Sequence, residues 1–210
     1  MGSVLKSALL SILGLAMLAA PSAAQKRRRI EFTPFVGGLI PTGRLGSIRV
    51  PGLGSTPIQV TGEMLTGGGF GGKATLYGPG RLGVEGTYFQ AGNDMRIAVG
   101  PFNRTFDATV EGGSLKAVFE ATTGGTGTDL VMSAGISGIK HSGPAFQFTS
   151  DPFDIGGVVG AGLHIVMSPS VTLRFDGDLY VYRWSAGSGF APRTQSDFMM
   201  TAGLGLRLGR

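Results

Sequence analysis

The chain has 210 residues, a formal net charge of +5 and no cysteine, which excludes a disulfide framework and thiolate metal sites. Charged residues make up 15% of the sequence and Gly occupies 38 positions, against about 25% and about 7% in an ordinary soluble domain. Of the 18 basic residues five are Lys6 and Lys26 to Arg29, and the other 13 balance the 13 acidic ones, so the basic excess does not mark a nucleic-acid partner.

The first element in chain order is an export signal. Lys6 precedes the apolar stretch Ala8 to Ala20, which is followed by Pro21 and the small-residue site Ser22-Ala23-Ala24. The stretch is shorter than the roughly 20 apolar residues of a spanning helix, and its flanks are those of a cleaved signal. The pattern therefore predicts a signal peptide over 1–24 and a single mature domain over 25–210. The basic run Lys26 to Arg29 then reads as a topological or lipid-headgroup anchor.

Beyond the signal, two-residue alternation recurs along almost the whole chain, which is the period of a strand with two unlike faces. Eight segments are predicted. The first, about 29 to 39, sets Ile30, Phe32 and Val36 against Glu31 and Thr33, and the second, about 69 to 78, sets Phe70, Ala74 and Leu76 against Lys73, Thr75 and Tyr77. The third, about 81 to 91, opposes Leu82, Val84 and Tyr88 to Glu85 and Thr87. In the fourth, within 106 to 121, Leu115, Ala117, Phe119 and Ala121 oppose Lys116 and Glu120, and a slip in parity at Gly112-Gly113 predicts a bulge.

The fifth, about 129 to 140, alternates Leu130, Met132, Ala134 and Ile136 with Ser133, Gly135 and Ser137; the sixth, about 155 to 166, alternates Val159, Ala161, Leu163 and Ile165 with Gly160, Gly162 and His164. The seventh, about 170 to 183, opposes Val171, Leu173, Phe175, Leu179 and Val181 to Thr172, Arg174, Asp176, Asp178 and Tyr180. The last, about 197 to 208, opposes Phe198, Met200, Ala202, Leu204, Leu206 and Leu208 to Thr201, Gly203, Gly205 and Arg207.

Short connections at Gly78 to Gly80, Thr122 to Thr128 and Met167 to Pro169 alternate with long ones at about 40 to 68, 92 to 105, 141 to 154 and 184 to 196. Strict alternation of short turns and long loops is the rhythm of an all-β, eight-stranded antiparallel up-and-down transmembrane β-barrel, with both termini on the short-turn, periplasmic side. A soluble lipocalin-like binding barrel has the same strand count with the faces reversed. The small and polar residues of one face suit a narrow interior, and low charge disfavours a soluble surface.

The opening strand Phe32-Thr33-Pro34-Phe35-Val36-Gly37-Gly38-Leu39-Ile40-Pro41-Thr42-Gly43, the rhythm, and the closing amphipathic strand resemble the eight-stranded outer-membrane barrel family, the group of the OmpA membrane domain, OmpX and OmpW. The resemblance covers about Arg29 to Arg210 and is architectural. It implies a bacterial outer-membrane location, with lipid, lipopolysaccharide and the outer-membrane assembly machinery as partners. Members end in an aromatic residue, whereas this chain ends Leu206-Arg207-Leu208-Gly209-Arg210.

With polar faces inward, the lumen would hold Glu31, Lys73, Glu85, Lys116, Glu120, Arg174, Asp176, Asp178 and Arg207 as a charge network. A three-residue turn at Gly78 to Gly80 would set Lys73 across from Glu85, and barrel closure would set Arg207 near Glu31. An eight-stranded barrel is barely wide enough for its own side chains, so such a network reads as a plug. Asp176 and Asp178 share a face as paired carboxylates do in acid-base sites, but Arg174 beside them points to a salt-bridge cluster.

His164 reads as a lumen residue and His141 as a loop residue. Neither fits the His-x-Ser pair of lipid A deacylases, because Ile165-Val166 follow His164 and Ser142 directly follows His141. Gly67 to Lys73 approaches a phosphate loop, but Ala74 stands where Ser or Thr is required. The outward aromatics Phe32, Phe70, Tyr88, Phe119 and Phe198 suit the girdles of a membrane barrel. The reading is thus a non-enzymatic barrel without cofactor or metal, with a structural lumen and extracellular loops for surface interaction with a protein partner; the longest, about Ile40 to Gly68, carries Ile48, Val50, Ile58 and Val60, which suit strands continued above the membrane as a ledge open to strand addition. A transporter of small hydrophobic molecules with a lateral opening is the alternative, and an apolar extracellular funnel would favour it.

Overall fold

The computed structural model describes residues 29–42, 44–50, 58–78, 80–121, 127–146, 153–184 and 193–208, with backbone alone for 44–50, 58 and 59. The predicted signal peptide and Lys26 to Arg28 lie outside the described residues.

Ten strands run in chain order: β1 Arg29–Pro41, β2 Arg44–Val50, β3 Ile58–Met64, β4 Gly67–Tyr77, β5 Leu82–Val99, β6 Phe102–Glu120, β7 Thr128–Ser142, β8 Phe153–Ser168, β9 Val171–Trp184 and β10 Arg193–Leu208. A 3-10 turn, Pro144–Phe146, follows β7. Eight strands close a ring in the order β1, β4, β5, β6, β7, β8, β9, β10 and back to β1, every neighbouring pair antiparallel. Closure satisfies the backbone hydrogen bonds without exposing a sheet edge in the ring.

Side chains alternate across this wall. Val36, Phe70, Leu82, Tyr88, Met132, Val159 and Met200 are more than half exposed on the outside, while Glu31, Lys73, Glu85, Lys116, Arg174 and Asp178 are buried inside. That polarity rules out the lipocalin-like arrangement, which would place the apolar face inward and leave water against the charges. The outward aromatics fall in two groups. Phe32 and Phe119 lie toward the short-turn end, and Phe70, Tyr88 and Phe198 lie further along toward the long connections.

Three features depart from the sequence reading. The β5–β6 register runs without interruption from Leu82↔Phe119 to Val99↔Phe102, so Gly112-Gly113 carries no bulge. What changes there is the environment of the wall. Below it, Leu115, Ala117 and Phe119 face out; above it, Val110 and Ala108 turn the same apolar character inward, while Glu111, Thr109 and Asp107 face out. The register shift within the ring lies instead at Val166/Ser168, beside the Pro169-Ser170 turn.

Second, the segment 92 to 105 is a continuation of β5 and β6 ending in the turn Gly100-Pro101, rather than a loop. Within 40 to 68 the strands expected from Ile48, Val50, Ile58 and Val60 are present: β2 and β3 form a hairpin, and β3 pairs with the far end of β5 from Val60↔Val99 to Met64↔Met95. The result is a four-stranded ledge, β2-β3-β5-β6, standing above the ring. The Gly67 to Lys73 run is the start of β4, so no phosphate loop exists.

Third, the turn after β4 is one residue longer than Gly78 to Gly80. Gly78 N–H donates to Leu82 O at 2.9 Å, and Gly80 takes φ +120°, a conformation that glycine adopts without steric cost. The register therefore sets Thr75 opposite Glu85 and Lys73 opposite Thr87.

Candidate functional site

The interior divides into a charged floor, an apolar layer and a polar ring. The floor is built by β1, β4, β5, β6, β9 and β10, whose inward positions alternate in register. Arg174 is its centre: Nη1 lies 3.2 Å from Glu31 Oε1 and donates to Thr75 Oγ1 at 3.2 Å, while Nη2 lies 2.7 Å from Glu85 Oε2 and 3.3 Å from Asp176 Oδ2. Lys116 Nζ bridges Glu85 Oε1 at 3.0 Å and Asp178 Oδ1 at 2.8 Å. Lys73 Nζ reaches Asp176 Oδ2 at 2.7 Å and Asp178 Oδ2 at 3.4 Å.

Arg207 stands directly opposite Glu31, with Nε 2.8 Å from Glu31 Oε2 where the ring closes. Of the nine residues read from the sequence as lumen charges, eight therefore form one connected cluster. Glu120 is separate: it pairs with Arg29 at the short-turn mouth, where the Arg29 guanidinium lies 4.0 Å from the Tyr77 ring centroid. Arg29 is thus turned into the mouth rather than outward as a headgroup anchor. The expected Lys73–Glu85 partnership is replaced by Lys73 with the two aspartates and Glu85 with Arg174 and Lys116.

Glycine makes room for these groups. A Cβ on Gly160 would sit 2.1 Å from Asp178 Oδ1, and one on Gly162 would sit 2.0 Å from Asp176 Oδ1. His164 completes the floor, its Nε2 3.0 Å from Asp176 Oδ1. Every carboxylate in the cluster faces a cation or an imidazole, an arrangement suited to holding the walls together, because buried charges are tolerated when paired and hydrogen-bonded.

Above the floor, Phe35, Leu39, Phe89, Val110, Ile139, Val158, Tyr180 and Met199 pack into an apolar layer. The sequence reading, which expected a uniformly polar lumen, missed it. Its signal was present in the inversion at Gly112-Gly113 and in the outward charges Lys140 and Arg183 on strands whose outward faces are otherwise apolar.

The next layer is polar and equally unforeseen. His141 is an inward residue of β7, 1% exposed, and not part of a loop. Its Nε2 lies 3.2 Å from Tyr182 Oη, Tyr182 Oη donates to Asp197 Oδ2 at 2.6 Å, and His141 Nδ1 faces Asp154 Oδ2 at 3.6 Å. Gln195 Nε2 donates to Asp197 Oδ1 at 3.3 Å. The Phe146 ring lies 5.2 Å from the imidazole.

Beyond this ring, the ledge carries its own apolar face. Strand alternation and register place Val60 and Met64 of β3, Met95, Ile97 and Val99 of β5, and Phe102 and Phe106 of β6 on the side continuous with the lumen, interrupted by Arg104. Met64 is buried in the apolar core of the upper barrel, and Met95 and Trp184 pack against it. The opposite side carries Thr61, Glu63, Asp94, Arg96, Thr105 and Asp107, with Arg96 Nη1 3.2 Å from Glu63 Oε1. The β1–β10 pairing ends at Pro41↔Asp197 and the bonds from Thr42 N–H and Oγ1 to Ser196 O, at 3.0 and 2.7 Å. Past that point β2 pairs only with β3 among the described residues, which leaves a seam between β2 and β10.

No protein-family model and no curated protein matches the sequence. Solved structures do. The outer membrane protein OprG from Pseudomonas aeruginosa superposes with a TM-score of 0.62 at 11% identity, over 87% of this chain and 96% of that one. Neisserial surface protein A gives 0.55 at 14% identity, over 85% and 96%. At these identities the likeness is one of fold, and with the closed ring of eight antiparallel strands it establishes the chain as an eight-stranded β-barrel of the outer-membrane type.

Proposed function

We propose that the chain resides in a bacterial outer membrane, its short turns in the periplasm, and gathers small apolar molecules at its ledge for lateral release into the membrane. One observation carries this reading: on the side of β3 and β5 the apolar face of the ledge joins the apolar upper lumen through Met64 and Met95, beside the polar groups of β7 to β10, while the floor below is filled by paired charges. An apolar solute gains roughly 25 cal/mol for each Å² of surface it buries, and nothing comparable draws it through the floor. The seam between β2 and β10 supplies a sideways route. The reading is non-enzymatic, since each floor carboxylate is held by a structural partner.

Uptake of a radiolabelled medium-chain alkane by cells expressing the protein tests it. Expression should raise the initial rate over a vector control, and Met64→Asp with Met95→Asp should return it to the control while the barrel stays heat-modifiable on gels. Equal uptake with and without the protein overturns the reading.

A second reading, docking of a protein partner at the long connections, is supported by the edge of β2 that pairs with no strand among the described residues and can accept an added one. Deleting residues 46 to 64 should then abolish surface binding, and unchanged binding overturns it.

A further inference from the structure

We infer that, among apolar molecules, the ledge selects those that carry a carboxylate: Arg104 holds the head, and the hydrocarbon tail lies along the sheet toward Met95 and Met64. As a substrate class for the ledge, this rests on the apolar-uptake reading.

The ledge sorts its charges by face. Register and alternation set Glu63 of β3, Asp94 and Arg96 of β5 and Asp107 of β6 on the side away from the lumen. There Arg96 Nη1 lies 3.2 Å from Glu63 Oε1, and Asp94 stands opposite Asp107. The lumen side is apolar from Val60 and Phe102 down to Met64 and Phe106, and its one charge among the described residues of β3, β5 and β6 above the ring is Arg104. The acids of these strands are therefore on the wrong face to meet it. Arg104 is exposed and makes no ion pair or side-chain hydrogen bond among the described residues.

A cation left alone on an apolar face selects for an anion. Apolar neighbours keep water from one side of it, so its attraction to an opposite charge is stronger than in open water. The guanidinium also offers two parallel N–H groups, the geometry that matches a carboxylate. On the other face Glu63, Asp94 and Asp107 repel the same head, which confines it to the lumen side.

The surroundings of Arg104 suit a tail. Arg104 stands opposite Ile97, which stands opposite Gly62, and the next row toward the barrel is Phe106, Met95 and Met64. At about 3.3 Å per residue that row is roughly 7 Å from Arg104, so a medium-chain tail reaches the methionines while its head stays on the guanidinium. Met64 is buried in the core of the upper barrel and Met95 packs against it. Gly62 gives the end of Met95 room, since a Cβ there would stand 3.1 Å from Met95 Cε, and unbranched thioether side chains conform to varied apolar partners. A hydrocarbon gains only by burial on this face, whereas a carboxylate of the same length gains by burial and by charge.

The test compares radiolabelled decanoate with 1-decanol, equal in chain length and without charge, at about pH 8, where a carboxylic acid is ionised. The protein is held in phosphatidylcholine nanodiscs, whose headgroups carry no net charge, and empty nanodiscs give the blank. The unmodified chain should bind decanoate more tightly than decanol. Arg104→Gln should lower the decanoate-to-decanol affinity ratio about twofold to fivefold, the size expected of an ion pair at an exposed site. Arg104→Lys, which keeps the charge and loses the paired donors, should fall between. Added salt should weaken decanoate binding to the unmodified chain and leave decanol binding in place. An unchanged ratio in Arg104→Gln overturns the carboxylate site, and so does decanoate binding that is indifferent to salt, a measurement that needs no variant. Decanoate selectivity that depends on Arg104, in a protein that fails to raise alkane uptake, would sink the uptake reading alone. Raised alkane uptake without that selectivity would sink the carboxylate site alone.

Discussion

Arg174 Nη2 on β9 lies 2.7 Å from Glu85 Oε2 on β5, and these two strands stand on opposite sides of the eight-strand ring. Lys116 on β6 and Lys73 on β4 reach the β9 aspartates in the same way. The bonds therefore cross the lumen rather than line it, and they stand in the way of a water path along the barrel axis. Purified protein in a planar bilayer should show no large, stable conductance, and a steady open level from the unmodified chain would contradict the crossing network.

Removing the centre of that network should be costly. Arg174→Met leaves Glu31, Glu85 and Asp176, all buried or nearly so, each short of a partner. Breaking one side of a buried ion pair costs about 3 to 5 kcal/mol. Arg207→Met removes a single contact nearer the mouth and should cost less. Equilibrium urea unfolding in micelles, followed by far-UV circular dichroism, separates the two, and equal midpoints for Arg174→Met and the unmodified chain would show that the charges are dispensable to the fold.

The ring itself was legible from alternation, because a strand of period two with unlike faces has one way to close in a membrane. In the seventh segment every residue named outward or inward lies as expected, from Val171 to Val181. What alternation does not encode is turn length, and adding Arg81 to the turn moved Glu85 from Lys73 to Thr75. It also does not encode where the outer medium changes. At Gly112-Gly113 the strand keeps its parity while its two faces exchange polarity, so a change of solvent read as a change of backbone. His141 was hidden for the same reason: with Lys140 outward beside it, the end of β7 resembled a loop.

That exchange of polarity makes a direct prediction about the lipid boundary. Leu115 and Thr109 both face outward on β6, on opposite sides of Gly112-Gly113. An arginine on the lipid face near the middle of a membrane costs about 2 to 4 kcal/mol, falling to about 0 to 1 near the interface. Leu115→Arg should therefore destabilise refolding into lipid vesicles strongly and Thr109→Arg little. Equal costs at the two positions would place the boundary elsewhere.

Gly112 is also where the apolar layer meets the wall. A Cβ built there would fall 2.3 Å from Phe89 Cζ and 2.9 Å from Ile139 Cδ1, and Phe89 is fully buried beside Tyr180, with ring centroids 5.4 Å apart. The ring cannot tilt away without disturbing Tyr180, so Gly112→Ala overpacks the layer and should cost about 1 to 3 kcal/mol. Phe89→Leu removes the atoms in the way and should itself cost stability, because it leaves a void. Combining them should recover part of the Gly112→Ala loss, giving a favourable interaction energy in a double-mutant cycle, the signature of residues in contact. Strict additivity of the two substitutions in urea unfolding would mean that Phe89 does not rest on Gly112.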